Sequence, residues 1–438
     1  MKQSILSKDG VSYVVPFILI TSCFALWGFA NDITNPMVKA FSKIFRMSAT
    51  DGALVQVAFY GGYFAMAFPA AMFIRRYSYK AGVLVGLGLY ALGAFMFYPA
   101  KMTGEYYPFL IAYFILTCGL SFLETSSNPY ILSMGTEETA TRRLNLAQSF
   151  NPMGSLLGMY VAMNFIQAKL NPLDTASRAD LTPAEFEAVK EYDLSVLIGP
   201  YLAIGLVILA MFLLILFWRM PKNGDKNHNI DFVPTLRRIF AMPHYREGVI
   251  AQFFYVGVQI MCWTFIIQYG TRVLMADGMA EQAAEVASQQ YNILAMIIFC
   301  CSRFICTFLL RYVNTGRLLT VLAIVGGLLV VGVIGLQNIY GLYCLVGVSA
   351  CMSLMFPTIY GIALTGLGDD AKFGAAGLIM AILGGSVLPP FQAAIIDQGE
   401  LLGMPAVNVS FVLPFVCFVV IAIYGHRTFL RSKGQLGG

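Results

Sequence analysis

Two acidic side chains, Asp32 and Glu124, lie within apolar stretches that have the composition of membrane-buried helices. Asp32 occurs in LWGFANDITNPMV and Glu124 in LTCGLSFLETSSNPYIL. A charged side chain near the centre of a bilayer costs about 2.5–3.5 kcal/mol on insertion scales, and chains that keep one usually use it. Burial disfavours the ionised form of a carboxyl group, so both acids are candidates for reversible proton binding. We therefore predict a polar cavity in a membrane transporter, with one or both acids carrying a proton.

Amide side chains accompany these acids at helical spacing. Asn35 follows Asp32 at i+3, and Asn128 follows Glu124 at i+4, so each pair shares a helix face. Three more amides step by three along a later apolar stretch: Asn145, Gln148 and Asn151. Amides and carboxylates offer both donors and acceptors to hydroxyl groups. The set predicts a polyhydroxylated ligand, and the uncharged amides argue against a strongly ionic one.

The second half of the chain provides an aromatic surface. Gln252 and Gln259 are seven residues apart on one helix face, with Tyr255 and Trp263 close to it. An aromatic ring beside an amide is typical of sugar binding, because the ring packs on C–H groups while the amide bonds hydroxyls. Phe356 is a further candidate for the same surface. The alternative is that Tyr and Trp anchor the helices at the membrane interface.

Each ionisable group also has a static interpretation. Asp32 could cap the broken end of its own helix, and Glu124 could pair with a basic residue. Arg303 lies within a predicted span, where it could snorkel towards the interface or pair with a buried acid. For Arg303 we favour a structural or gating role over contact with the substrate.

The composition argues against a water-soluble globular protein. Hydrophobic residues make up 58% of the chain and charged residues 12%, and the mean hydropathy is +0.72. A spanning helix needs about 20 mostly apolar residues. We predict an all-α membrane protein with twelve transmembrane helices. The predicted spans are residues 11–38, 53–75, 81–101, 106–134, 141–168, 195–219, 244–275, 285–312, 317–336, 340–366, 371–397 and 405–430.

A polar stretch at residues 220–243 divides these spans six and six. The predicted domains are an N-terminal six-helix bundle at 1–219, a cytoplasmic linker at 220–243 and a C-terminal six-helix bundle at 244–438. An Arg-Tyr pair ends spans two and eight, and a tryptophan lies in spans one and seven. Matching residues at equivalent positions of the two halves are typical of parallel repeats related by an axis along the membrane normal.

The charge distribution predicts topology and partners. Most of the 28 Lys and Arg residues fall on the side of the termini, and the longest segment on the other side is acidic. The positive-inside rule then predicts a multi-pass protein with both termini in the cytoplasm. The location that we expect is the bacterial inner membrane. Charges spread in this way argue against nucleic-acid binding. The expected partners are a small-molecule sugar, a proton and membrane lipid, and we expect a monomer.

Enzymatic chemistry has little support in the sequence. The nine cysteines fall inside predicted spans without a CxxC pair, and the three histidines are scattered. No cofactor, metal site or catalytic residue is therefore expected. An integral-membrane enzyme for lipid-linked sugars would need clustered acids, histidines or a metal near an interface. A non-transporting sugar sensor is disfavoured because no long signalling domain flanks the helices.

Four segments carry a resemblance to a known family: FLETSSNPY (122–130), RLNLAQSFNPMG (143–154), FYVGVQIMCW (254–263) and FPTIYG (356–361). With them, nearly the whole chain resembles the fucose–galactose–glucose–proton symporter family of the major facilitator superfamily. The resemblance implies two six-helix bundles with alternating access. It also implies a membrane carboxylate in helix four, which falls on Glu124, and polar substrate or coupling positions in helix five, which fall on Gln148 and Asn151.

The chain departs from the family pattern at two positions. The family's helix-one acid aligns with Asn35 and an asparagine aligns with Asp32, so the pair is exchanged here. The two positions are one turn apart, which keeps the acid near the same helix face. Phe356 stands where the family's fucose transporters have a tyrosine, so one hydroxyl is lost.

Together these features predict a proton-coupled sugar importer, with L-fucose as the best single substrate. Asp32, Glu124 or both would bind a proton from outside. Sugar would contact both bundles, which would then reorient so that the site opens to the cytoplasm. The predicted sugar-binding residues are Asn35, Asn128, Asn145, Gln148, Asn151, Gln259, Trp263 and Phe356. The alternatives are a glucose or galactose transporter of the same family, or a sugar uniporter.

Overall fold

The computed structural model describes residues 6–8, 11–34, 37–47, 54–173, 177–178, 180–221, 232–401 and 403–434. The described part of the chain is almost entirely helical. The first helices are α1 (Val14–Thr34), α2 (Met37–Ile44), α3 (Leu54–Arg76), α4 (Tyr79–Thr103), α5 (Tyr107–Ser133), α6 (Ala140–Gln148), α7 (Asn151–Val161), α8 (Pro183–Phe217) and α9 (Phe232–Ala241). The remaining helices are α10 (Pro243–Ala276), α11 (Glu281–Leu309), α12 (Thr315–Gly335), α13 (Ile339–Met352), α14 (Met355–Leu364), α15 (Ala371–Met380), α16 (Gly384–Ile396), α17 (Ala406–Ser410) and α18 (Val412–Ser432).

Shorter elements connect these helices. Two antiparallel hairpins are formed by β1 (Ser7–Lys8) with β2 (Val11–Ser12), and by β3 (Glu400–Leu401) with β4 (Met404–Pro405). A π-helical turn covers Ala162–Ile166, and the 3₁₀ turns are Glu137–Thr139, Gln167–Lys169, Gly368–Asp370 and Ala381–Leu383.

Eleven helical segments among the described residues are long and apolar enough to cross a membrane. This confirms the predicted all-helical membrane protein. The segments are Val14–Thr34, Val57–Arg76, Tyr79–Thr103, Tyr107–Ser133, Pro183–Phe217, Pro243–Ala276, Val286–Leu309, Thr315–Gly335, Ile339–Leu364, Gly368–Ile396 and Ala406–Ser432.

The predicted span 141–168 is divided into shorter elements. Helix α6 ends at Gln148 and α7 begins at Asn151, and the π-helical turn follows α7 directly. Pro152 accounts for the interruption, because proline has no N–H to donate to the carbonyl four residues earlier, which belongs to Gln148. Pro357 has the same relation to Ser353, and there α13 ends at Met352 and α14 begins at Met355.

The chain divides into two compact units. The N-unit contains the described residues within Leu6–Met134 and Phe150–Ile230, and the C-unit those within Gly135–Ser149 and Asp231–Gly438. In the N-unit, α5 packs along α3 and α4, α8 packs along α4, and α1 packs along α7. In the C-unit, α10 contacts α11, α13, α14, α16 and α18, and α6 contacts α14 and α11.

Helices α1 and α7 approach so closely that glycine is required where they meet. A Cβ on Gly28 would lie 2.1 Å from the Asn151 carbonyl oxygen, and one on Gly154 would lie 1.8 Å from that of Ala25. The Ser155 hydroxyl donates to the Gly28 carbonyl over 3.3 Å. This contact fixes Asn151 against the helix that carries Asp32.

Candidate functional site

Glu124 is buried in the middle of α5, with 4% of its surface exposed. Its Oε1 accepts a hydrogen bond from the Tyr63 hydroxyl on α3 over 3.4 Å. Its Oε2 is buried and has no hydrogen-bond partner among the described residues. No ion pair to Glu124 occurs within that part of the chain, so the predicted alternative of a basic partner has no support. The site therefore contains a buried carboxyl group with one oxygen open to a proton or ligand.

Asp32 is half-buried in the last turn of α1. Tyr60, on α3, lies close enough to Asp32 for an electrostatic interaction. The rings of Tyr60 and Tyr63 both contact Phe59 on the same helix, α3. Tyr60 therefore lies near one of the predicted proton-coupling acids, and Tyr63 bonds the other.

The sequence interpretation did not include these tyrosines. They lie three residues apart in YGGY, within an apolar span, where two phenol groups on one face were the available signal. The Tyr63 carbonyl also accepts from the Ser121 hydroxyl over 3.1 Å. This bond ties α3 to α5 one turn before Glu124, and it explains why the Tyr63 hydroxyl reaches the carboxyl group.

The predicted amides of the N-unit are bound to backbone carbonyls. Asn128 Nδ2 donates to the carbonyl of Glu124 over 3.0 Å, within α5. Asn151 Nδ2 donates to the carbonyl of Phe24 on α1 over 3.2 Å. Asn35, the remaining candidate of the first span, lies outside the described residues.

In the C-unit, Asn145 joins α6 to α14. Its Nδ2 donates to the Thr358 hydroxyl over 3.1 Å and to the Thr141 carbonyl over 2.9 Å. Its Oδ1 is buried without a partner among the described residues. Gln148 ends α6, one turn further along, and is 3% exposed.

The predicted aromatic surface lies in the same unit. The Trp263 indole donates to the Ser349 hydroxyl over 3.2 Å, and its ring meets Phe299 edge-on at 4.9 Å between centroids. Phe356 meets the Tyr255 ring edge-on at 6.1 Å. Gln259, one turn before Trp263, is half-buried, as are Trp263 and Phe356. Half-burial leaves part of each side chain accessible to a ligand.

Arg303 differs from both sequence expectations. Its guanidinium group is buried, with the residue 3% exposed, and it donates to backbone carbonyls of Gln148 and Ser353. Neither snorkelling nor a pair with an acid is seen for this side chain among the described residues. Across the residues that the structure describes, no group of three or more His, Cys, Asp or Glu is placed to hold a metal ion.

The class of protein follows from sequence comparison. The profile of the Major Facilitator Superfamily matches residues 20–389, and the chain belongs to this superfamily. It is therefore a membrane transporter, which confirms the prediction against an enzyme.

Two relatives and one solved structure are especially similar to this chain. The L-fucose-proton symporter of Haemophilus influenzae is 52% identical over 441 residues, covering 99% of this chain and 100% of that protein. The L-fucose-proton symporter of Escherichia coli is 32% identical, covering 95% of this chain and 93% of that protein. The crystal structure of the superfamily transporter FucP in the outward conformation has a TM-score of 0.85 at 31% identity, covering 95% of this chain and 99% of that chain. These similarities confirm the resemblance predicted from the four segments.

Proposed function

We propose that this protein imports L-fucose together with a proton. The observation that carries the proposal is Glu124, whose carboxyl group is buried in an apolar helix with one oxygen unpartnered among the described residues. The similar proteins named above are L-fucose-proton symporters, which supports the choice of sugar and of coupling ion.

The coupling step is proton binding at Glu124, with Asp32 as the second acid. A buried carboxylate loses most of its hydration, and a single long hydrogen bond from Tyr63 restores only part of that stabilisation. A proton removes the charge and makes the buried group neutral. Sugar accumulates only if its affinity, or the conformational equilibrium, depends on that proton.

Sugar contacts are assigned separately in each unit. In the C-unit we assign them to the two amides of α6 and to the half-buried surface on α10 and α14: Asn145, Gln148, Gln259, Trp263 and Phe356. In the N-unit we assign them to Asn128 and Asn151, with Asn35 as the first-span candidate. Amide and aromatic groups suit a neutral sugar because they bond hydroxyls and pack on C–H groups.

The finer architecture belongs to the same proposal. The segment α6–α7, which is broken at Pro152, makes twelve spans when it is added to the eleven. We assign six to a bundle at 1–219 and six to a bundle at 244–438, joined by the linker 220–243. The excess of Lys and Arg on the side of the termini supports cytoplasmic termini, and the bacterial symporters named above support a bacterial inner-membrane location. We assign a monomeric state.

The test is L-fucose transport into proteoliposomes with and without an inward proton gradient. Glu124→Gln keeps the size and hydrogen-bonding groups of a neutral acid but cannot release a proton. We expect it to lose gradient-driven accumulation while retaining sugar exchange at equal concentrations, and Asp32→Asn to reduce accumulation. Asp397→Asn, at an exposed position, is the matched control. Undiminished uphill uptake by both acid variants would refute the coupling assignment.

Substrate identity is tested in the same vesicles. The addition of L-fucose should alkalinise the external medium, because sugar and proton enter together. L-galactose, D-arabinose, D-glucose and D-galactose are compared at equal concentration. A larger response to D-glucose or D-galactose than to L-fucose would replace the proposed sugar, and sugar uptake without alkalinisation would indicate a uniporter.

A further inference from the structure

Arg303 is a buried cation that has carbonyl oxygens as its partners. It lies on α11, and its guanidinium carbon is 4.5 Å from the centroid of the Phe299 ring. Its Nε donates to the Ser353 carbonyl over 2.5 Å, and its Nη1 donates to the Gln148 carbonyl over 2.9 Å. A buried guanidinium must have its donors satisfied, because each unmet bond costs free energy.

Each of the two carbonyls that Arg303 binds is deprived of its helical partner by a proline. Pro152 stands four residues after Gln148, and Pro357 stands four residues after Ser353. In water such carbonyls would be hydrated, but at membrane depth they need a donor from the protein. One side chain from a third helix therefore satisfies two separate helix breaks.

Helix polarity makes this arrangement favourable for a cation. Gln148 is the last residue of α6, and Ser353 follows the last residue of α13. The C-terminal end of a helix carries partial negative charge on its unpaired carbonyls. Arg303 therefore has two helix ends as its counter-charge, which explains how its charge is stabilised without an acid.

Neighbouring donors hold the end of α13 in the same way. Bonds from α10 and α11 reach four nearby positions: Trp263 to the Ser349 hydroxyl, Ser302 to the Ala350 carbonyl, Tyr255 to the Met352 carbonyl and Arg303 to the Ser353 carbonyl. The bond from Arg303 to Gln148 extends this set to α6. Arg303 is thus the side chain that ties the α6 end to the α13 end.

We propose that Arg303 is a positioning residue that bridges the two proline breaks and thereby fixes Gln148 and Phe356 for sugar binding. The part that concerns sugar rests on the proposed function. Gln148 carries one of the bridged carbonyls, and Phe356 lies three residues after the other. A guanidinium fork reaches two carbonyls in different directions, whereas the compact ammonium group of lysine does not reproduce that geometry.

The experiment is a double-mutant cycle between Arg303 and the prolines. Arg303→Met keeps much of the apolar stem and removes both bonds. Pro152→Ala and Pro357→Ala each restore an N–H, and both breaks keep right-handed helical backbone angles, with φ of −65° at Ser149 and −55° at Ser353. The restored N–H is the one that an uninterrupted helix would donate to the carbonyl four residues earlier. L-fucose binding and thermal stability are measured for each single and double variant.

We expect Arg303→Met to weaken L-fucose binding by about tenfold, while the maximal rate of sugar exchange at saturating L-fucose stays within about twofold. Either alanine substitution should recover part of the lost affinity in the Arg303→Met background, and should change affinity by less than about twofold when Arg303 is present. Arg303→Lys should fall between the wild type and Arg303→Met.

Three outcomes would overturn the inference. One is unchanged affinity in Arg303→Met, or in Arg303→Lys if the methionine variant does not fold. Another is a loss that neither alanine substitution corrects, which would indicate direct contact of Arg303 with sugar. The third is strict additivity of thermal stability in the cycle. If the wild-type protein does not bind L-fucose, the proposed function fails, and the stability cycle still decides whether Arg303 bridges the breaks.

Discussion

Breaking the buried ion pair between Arg178 and Asp193 provides a quantitative test of how α2 is held against α8. The two side chains are fully buried, and Arg178 Nη2 lies 2.6 Å from Asp193 Oδ2. Arg178 also donates to the carbonyls of Leu173 at 3.1 Å and Asn171 at 3.2 Å, and to that of Lys43 at 3.5 Å, near the end of α2. Arg178 therefore connects the end of α2, at Lys43, with Asp193 on α8.

The expected loss of stability depends on which charge stays buried after the substitution. Asp193→Asn leaves a buried guanidinium without its counter-ion, and breaking such a pair from one side costs about 3–5 kcal/mol. For a chain of this length we expect the melting temperature to fall by roughly 3–5 °C. The double variant Arg178→Met/Asp193→Leu removes both charges and should recover about half of that loss. It should not recover all of it, because the two shorter carbonyl bonds contribute about 1 kcal/mol each.

The assay is thermal unfolding of the detergent-solubilised protein, monitored in parallel for a control pair. Lys190 and Glu187 form an exposed pair at 3.0 Å on the same helix as Asp193, with the Glu187 side chain 64% exposed. Exposed pairs contribute about 0.2–1 kcal/mol, so Glu187→Gln should shift the melting temperature by no more than about 1 °C. If the double variant is as unstable as Asp193→Asn, the reasoning from an uncompensated buried charge is wrong.

Three further predictions concern the site and its supports. Tyr63→Phe removes the hydrogen bond to Glu124, so the proton should be held to higher pH; a pH series of L-fucose uptake should show the half-maximal point raised by roughly one unit, and an unmoved profile would exclude Tyr63 from coupling. Gly28→Ala places a methyl group against the Asn151 carbonyl and should cost about 1–3 kcal/mol in thermal unfolding, whereas Gly61→Ala, with its nearest atom at 3.9 Å, should cost less. Phe356→Tyr restores a hydroxyl at a half-buried position and should tighten L-fucose binding by about 2–10-fold in a competition assay; weaker binding would contradict a sugar contact there.

The membrane architecture could be predicted from sequence because hydropathy is a local property. Long apolar runs with few charges are recognisable without knowing what packs against them. The division of the span 141–168 was partly accessible, since Pro152 marks the interruption between α6 and α7. The π-helical turn Ala162–Ile166 had no such signal, because it depends on how neighbouring helices fit against α7.

At the site, the sequence predicted residue types better than it predicted their partners. Glu124 lies in an apolar run, so its burial followed directly. Its donor, Tyr63, comes from another helix, and the register between α3 and α5 depends on packing that no local pattern encodes. For Arg303, a proline rule identifies the two deprived carbonyls, but only the three-dimensional packing determines which helix provides the donor.

The use of donors and acceptors at the site also constrains its ligand. The amide N–H groups of Asn128, Asn145 and Asn151 already donate to protein acceptors. By contrast, the unpartnered atoms among the candidate side chains in the described chain are acceptors, Glu124 Oε2 in the N-unit and Asn145 Oδ1 in the C-unit. A ligand that meets such atoms must bring donors. Protons and sugar hydroxyls both do so, whereas an anionic ligand would place like charge near a carboxylate, so a neutral polyol with a proton would fit this set of residues better than an anion.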